Sequence, residues 1–202
     1  MPAEFGRVFS LLLQRHQQKN IPQYMQLKSI ANCLEIKYSD LSETGAEGVF
    51  YFDDRVSSAN RLVVEVDATY SFTDDLTTAF LLSHELSHAR QYTEELQGIK
   101  TWNCVDAEVD AFYSQLIFGS LLNEEESDSV ISRIEKGSRN SQLLQYEDLL
   151  DLSWDAIGAC NLANKSNPTQ QDLDCYKQTL YQKLRQMVTS NPYYQDQCGI
   201  TD

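Results

Sequence analysis

Basic residues are scarce in this chain. Sixteen lysines and arginines stand against 30 aspartates and glutamates, for a net charge of −14 over 202 residues. A surface this acidic repels a phosphate backbone, and no lysine- or arginine-rich stripe relieves it, so nucleic-acid binding is not expected. Long apolar runs are missing too. The longest, such as "VFSLLL" and "AFLL", fall well short of the ~20 residues of a membrane-spanning helix. The N-terminal "MPAEFGRVFS" has no basic start, extended apolar centre or small-residue cleavage site and does not read as a signal peptide. The expected setting is cytoplasmic, or exported if a leader has been removed. No C-x-x-C pair occurs among Cys33, Cys104, Cys160, Cys175 and Cys198, which argues against a zinc ribbon or a thioredoxin-like motif. Three of the five cysteines lie in the last 43 residues, where a structural disulfide would suit an oxidising compartment; the sequence leaves its presence and pairing open.

What remains is the composition of a globular protein, 42% hydrophobic and 23% charged, in a chain long enough for one real core. Residues 3–19 carry Phe5, Val8, Phe9, Leu12 and Leu13 at helical spacing and are expected to form a core helix. Between 24 and 67, "LEIKYSDL", "GVFYFDD" and "RLVVEVDA" read as short strands, the surest at 48–53 and 61–66, the latter a candidate edge strand. From residue 70 the pattern is helical. One helix is capped by Thr73 and runs to about Gln91, and a second covers about 104–122. A third begins after Asn123 and ends at Lys136-Gly137, a fourth spans 141–157 and stops at Gly158, and a last one spans 172–189. The expected fold is α+β, a small, mainly antiparallel sheet packed on helices. Residues 1–158 form the main domain, and 159–202 a helical C-terminal extension packed on it.

Two of only three histidines fall in "SHELSHAR", four residues apart with a glutamate between them. On a helix, residues four apart are displaced by about 40° around the axis, so His84 and His88 share a face and both imidazoles can reach one metal ion. Glu85 points elsewhere. It is placed to take a proton from a water that the metal has acidified from a pKa of 15.7 towards ~7, the division of labour in zinc-dependent peptide hydrolysis. Ala79, Leu82, Leu86 and Ala89 form an apolar stripe, and Phe80 and Leu81 flank the histidine side. The helix is thus expected to be buried on both sides, where two imidazoles and a carboxylate would be costly without a metal.

Catalytic zinc takes three protein ligands as a rule, and no histidine follows His88. The third ligand is therefore sought among the carboxylates of "VDAEVDAF", namely Asp106, Glu108 and Asp110. Here the chain resembles the gluzincins, the thermolysin-like clan in which a glutamate on a second helix completes an HExxH site. The resemblance rests on "HELSHARQ" at 84–91 and "EVDAF" at 108–112, twenty residues beyond His88, and covers about residues 48–120. It implies a Zn²⁺ held by His84, His88 and Glu108, Glu85 as general base, and a peptide or protein substrate. The clan's frequent acidic residue four positions after the ligand is replaced by Phe112, which keeps a second register open, with Asp106 as ligand and Asp110 as its partner. In the first register Asp110 is expected to hold a histidine tautomer. Tyr92, Arg90, Tyr113 and Tyr146 are candidates to stabilise a tetrahedral oxyanion, and the 61–66 strand is a candidate to bind an extended peptide along its edge. The alternative is a non-catalytic zinc-containing module whose surface binds a partner.

Overall fold

The computed structural model describes residues 3–19, 23–53, 61–72, 74–137 and 146–200. In chain order the elements are α1 (Ala3–Gln18), α2 (Gln23–Ile30), β1 (Leu34–Ser39), β2 (Gly48–Asp53), β3 (Arg61–Asp67), α3 (Asp75–Leu96), α4 (Cys104–Gly119), α5 (Glu124–Gly137), α6 (Tyr146–Ala159), α7 (Gln170–Ser190) and α8 (Pro192–Gln197). The fold is α+β. Among the described residues, no helix is long and apolar enough to cross a membrane.

The sheet is mixed rather than mainly antiparallel. Its order is β1-β3-β2, with β1 parallel and β2 antiparallel to β3. The strand expected at the edge, β3, is therefore the central one. Leu62, Val64 and Val66 turn into the core, and Val63 on the opposite face is buried as well. On that opposite face Glu65 accepts from Lys37 Nζ of β1 at 2.8 Å and from the Tyr51 hydroxyl of β2 at 2.8 Å, tying both neighbours to the centre. The outer strands are β1 and β2, and β2 packs on α3.

Helix α3 is the axis of the molecule and touches α1, α2, α4, α5, β2 and β3. It is buried on several faces from Thr77 to Gln91, which explains how it holds Glu85, Arg90 and Gln91 away from solvent. Its N-cap is Asp74, whose carboxylate accepts the Thr77 N–H at 2.8 Å; Thr73, the expected cap, lies outside the described residues. The helix continues past Gln91 because its stop is Gly98. There a φ of +66°, which only glycine adopts freely, lets the Gly98 and Ile99 amides bond back to the carbonyls of Glu95 and Glu94. Gly158 likewise does not end α6. Asn161, at φ +53°, makes that turn three residues later.

Two helices lie where none is expected from sequence, α2 and α8. Residues from the C-terminal part join the same hydrophobic cluster as α1 and α3, through Leu180, Leu184, Val188 and Tyr194. Disulfides link Cys104 to Cys198 and Cys160 to Cys175, leaving Cys33 free and exposed.

Candidate metal centre

Helix α4 starts at Asn103, whose side chain accepts the Asp106 N–H at 2.9 Å, and runs alongside α3. The pairing brings one turn of each helix into register. His84 Nε2 and His88 Nε2 are 3.2 Å apart. Glu108 presents Oε2 to His84 Nε2 at 3.3 Å and Oε1 to His88 Nε2 at 3.6 Å. Among the described residues, these form the one group of three histidine, cysteine or acidic side chains whose donor atoms could share a metal ion, all within 4.8 Å of one another. Asp106 is not part of it: it accepts from Asn103 Nδ2 at 2.6 Å and pairs with Arg185 at the surface.

The donor set fits a divalent metal in its spacing, and the partner of His88 suits the tautomer a metal needs. Gln91 Nε2 donates to the Ala107 carbonyl at 2.9 Å and to Asp110 Oδ2 at 3.1 Å, so its carbonyl oxygen faces the other way. That oxygen lies 2.9 Å from His88 Nδ1 and accepts a hydrogen bond from the proton there, the tautomer that would offer Nε2 to a metal ion once the second proton is lost. Contrary to the expectation from the sequence, Asp110 does not hold a histidine directly. It anchors the glutamine that does, and it also accepts from Arg90 and from the Tyr181 hydroxyl at 3.1 Å. Phe112, where an acid was looked for, sets its ring edge-on 4.6 Å from that of His84. Burial opposes ionisation of Glu108, but the two imidazoles and the Gln197 amide outweigh it, and its pKa is lowered.

Glu85 stands beside the cluster and is not one of its members. It is buried against β2, where the Phe50 N–H donates to it. Burial pushes its carboxyl up and Glu108 pushes in the same direction, against His88 and the Phe50 amide, leaving a pKa of about 7. Gly48 is the reason the carboxylate fits: a Cβ there would lie 2.7 Å from both Cγ and Oε1 of Glu85.

These groups open into a cleft of about 560 Å³ walled by β2, α3, α4 and α8. Of the oxyanion candidates, only Tyr92 lines it, stacked on Phe52 at 5.0 Å. Arg90 is engaged by Glu94 and Asp110 and covers Trp102, while Tyr113 packs against Tyr181 away from the cleft. The side chain of Tyr146 lies outside the described residues. The sequence did not point to Tyr193, Tyr194 and Gln197, which α8 brings to the wall from some 90 residues downstream. Nor did it point to Gly48. Gln91 had a signal in its position three residues after His88, on the same helical face.

Compared with protein-family models, curated proteins and solved structures, the chain matches none.

Proposed function

We propose that this protein is a zinc-dependent peptidase of the gluzincin type, with His84, His88 and Glu108 as metal ligands and Glu85 as general base. The observation that supports it best is the placement of two kinds of carboxylate at one cleft: Glu108 among the imidazoles, and Glu85 beside them but outside the donor set. A purely structural site has use for the first and none for the second. Two imidazoles and one carboxylate are a familiar catalytic zinc set, which leaves a coordination position open. A divalent ion bound there would supply Lewis acidity, lowering the pKa of water and polarising a carbonyl.

The chain's own residues do the rest. Gln91 accepts the N–H of His88 Nδ1, which turns Nε2 to the metal position, and Phe112 backs the His84 ring. Glu85 takes the proton of the attacking water on its carboxylate and returns it to the leaving amine nitrogen. A carboxyl poised near neutrality suits both halves of that transfer. The outer edge of β2, not the central β3, would receive an extended peptide by strand addition beside the Phe50 N–H that donates to Glu85, and it borders the cleft through Gly48, Val49 and Phe50. Two disulfides favour a protein that meets an oxidising compartment.

The test compares zinc content and peptide hydrolysis in four proteins. The wild type should hold one zinc and cleave. Glu85→Gln should keep the metal and lose about 10²–10⁴-fold in kcat. Glu108→Gln should lose metal, whereas Asp106→Asn should behave as wild type. Zinc in every form with no turnover against a broad peptide library would leave the non-catalytic module instead.

A further inference from the structure

Cys104, Glu108 and Phe112 follow one another at intervals of four along a single face of α4. Each is met by the C-terminal helix or the residue that ends it. Cys104 is bonded to Cys198, Glu108 Oε1 accepts from Gln197 Nε2 at 2.8 Å, and the Phe112 ring stands edge-on to Tyr194 at 5.4 Å. The proposed metal ligand is thus the middle rung of a three-rung ladder. Helix α8 is fixed at its other end by its Asn191 cap, which accepts the Tyr193 N–H at 2.9 Å, and by Gln195, which donates to the Thr189 carbonyl at 2.9 Å.

The upper and lower rungs explain how α8 stays attached, a covalent bridge and the buried Tyr194 ring. The middle rung does neither, since Gln197 is exposed and buries little apolar surface. What it does is occupy one oxygen of Glu108. With Oε1 engaged, the carboxylate cannot turn freely, and Oε2 stays directed at His84 Nε2, 3.3 Å away.

We propose that Gln197 is a positioning residue for Glu108, held at its post by the Cys104–Cys198 bridge, so that the centre's affinity for zinc depends on the C-terminal helix. This rests on reading His84, His88 and Glu108 as metal ligands. Groups that hydrogen-bond a metal ligand from behind typically contribute 10–100-fold in affinity, because they fix its orientation before the ion arrives.

The experiment measures zinc affinity by competition with a chromophoric chelator, and the melting temperature of each metal-free protein beside it. It uses the full chain as wild type, His88→Ala, Gln197→Met, Cys104→Ser with Cys198→Ser, and Cys160→Ser with Cys175→Ser. Gln197→Met keeps the length and removes the donor. It should bind zinc about 10–100-fold more weakly with an unchanged metal-free melting temperature. The 104/198 pair should weaken binding in the same way, and the 160/175 pair should not. Gln197→Met binding as tightly as wild type, while His88→Ala abolishes binding, would overturn this proposal alone. A wild type that binds no zinc, or whose binding survives His88→Ala, would overturn the metal centre and this proposal with it. If the 104/198 variant does not fold, Gln197→Met carries the decision, since it leaves both bridges intact.

Discussion

Gly48 has no room for a side chain because Glu85 occupies the space where its Cβ would be. The nearest atoms belong to the movable end of a glutamate rather than to backbone, so Gly48→Ala should displace the carboxylate without unfolding the strand. A general base moved by about 1 Å loses about 10²-fold. The expected outcome is therefore a kcat/KM lower by about that factor with zinc affinity intact, read from steady-state kinetics beside chelator competition. Full activity in Gly48→Ala would show that Glu85 has no need of its present seat. At this scale the sequence was informative wherever chemistry sits at short spacing. His84, Glu85 and His88 declare themselves by their intervals on one helix. Glu108 and Asp106 were separable only by the rotation of α4 against α3, which turns Glu108 inward and leaves Asp106 to Arg185. Gly48 gives no local sign of its role, since what requires it is an atom 37 positions away.

Among the elements, α1 brings the third histidine into the interior. His16 is buried, bonded through Nδ1 to the Leu12 carbonyl at 2.8 Å and stacked near Phe118 of α4. It borders a small cavity shared with Ser83, Ser87 and Arg90 of α3 and with Ser114 of α4. Burial lowers its pKa from the ordinary 6.5, against the smaller pull of the Leu12 carbonyl, and Arg90 is the charged group facing it. The unfolded chain therefore binds the proton more tightly than the folded one. Stability present above pH 6.5 falls away as the pH drops towards the folded value. Urea unfolding from pH 7.5 down to pH 5 should show a shallower decline in His16→Gln than in the wild type. Parallel curves would remove His16 as a contributor. Elements with strong periodicity, α1, α3, α4 and α5, were legible. Helix α2 was not, because "QYMQLKSI" is only eight residues long, too short for its Leu27 and Ile30 to stand out, and it is fixed by packing on α1 and α3. Strand β3 was expected at an edge, and its pairing with both β1 and β2 is a tertiary fact that its own sequence does not state.

For the molecule as a whole, the two disulfides enclose loops of very different size, with sequence separations of 15 and 94, the smaller nested in the larger. Closing a loop of about 15 residues removes unfolded-chain entropy equivalent to about 3 kcal/mol. Cys160→Ser with Cys175→Ser should lower the unfolding free energy by about that amount in denaturant titration, and a loss near zero would mean the bridge is not formed. In the unreduced native protein, a thiol reagent should label Cys33 alone. None of this pairing follows from composition, since five cysteines leave many pairings open and only the fold selects among them.

The larger loop also orders events in time. Glu108 and Gln197 are 89 positions apart, and the bridge beside them needs Cys198. A chain still emerging from the ribosome carries His84, His88 and Glu108, the proposed ligands, before Gln197 and Cys198 have been made and the bridge to Cys104 formed. On the proposed function, a protein assembled in this order would bind zinc least well while it is itself still unfolded.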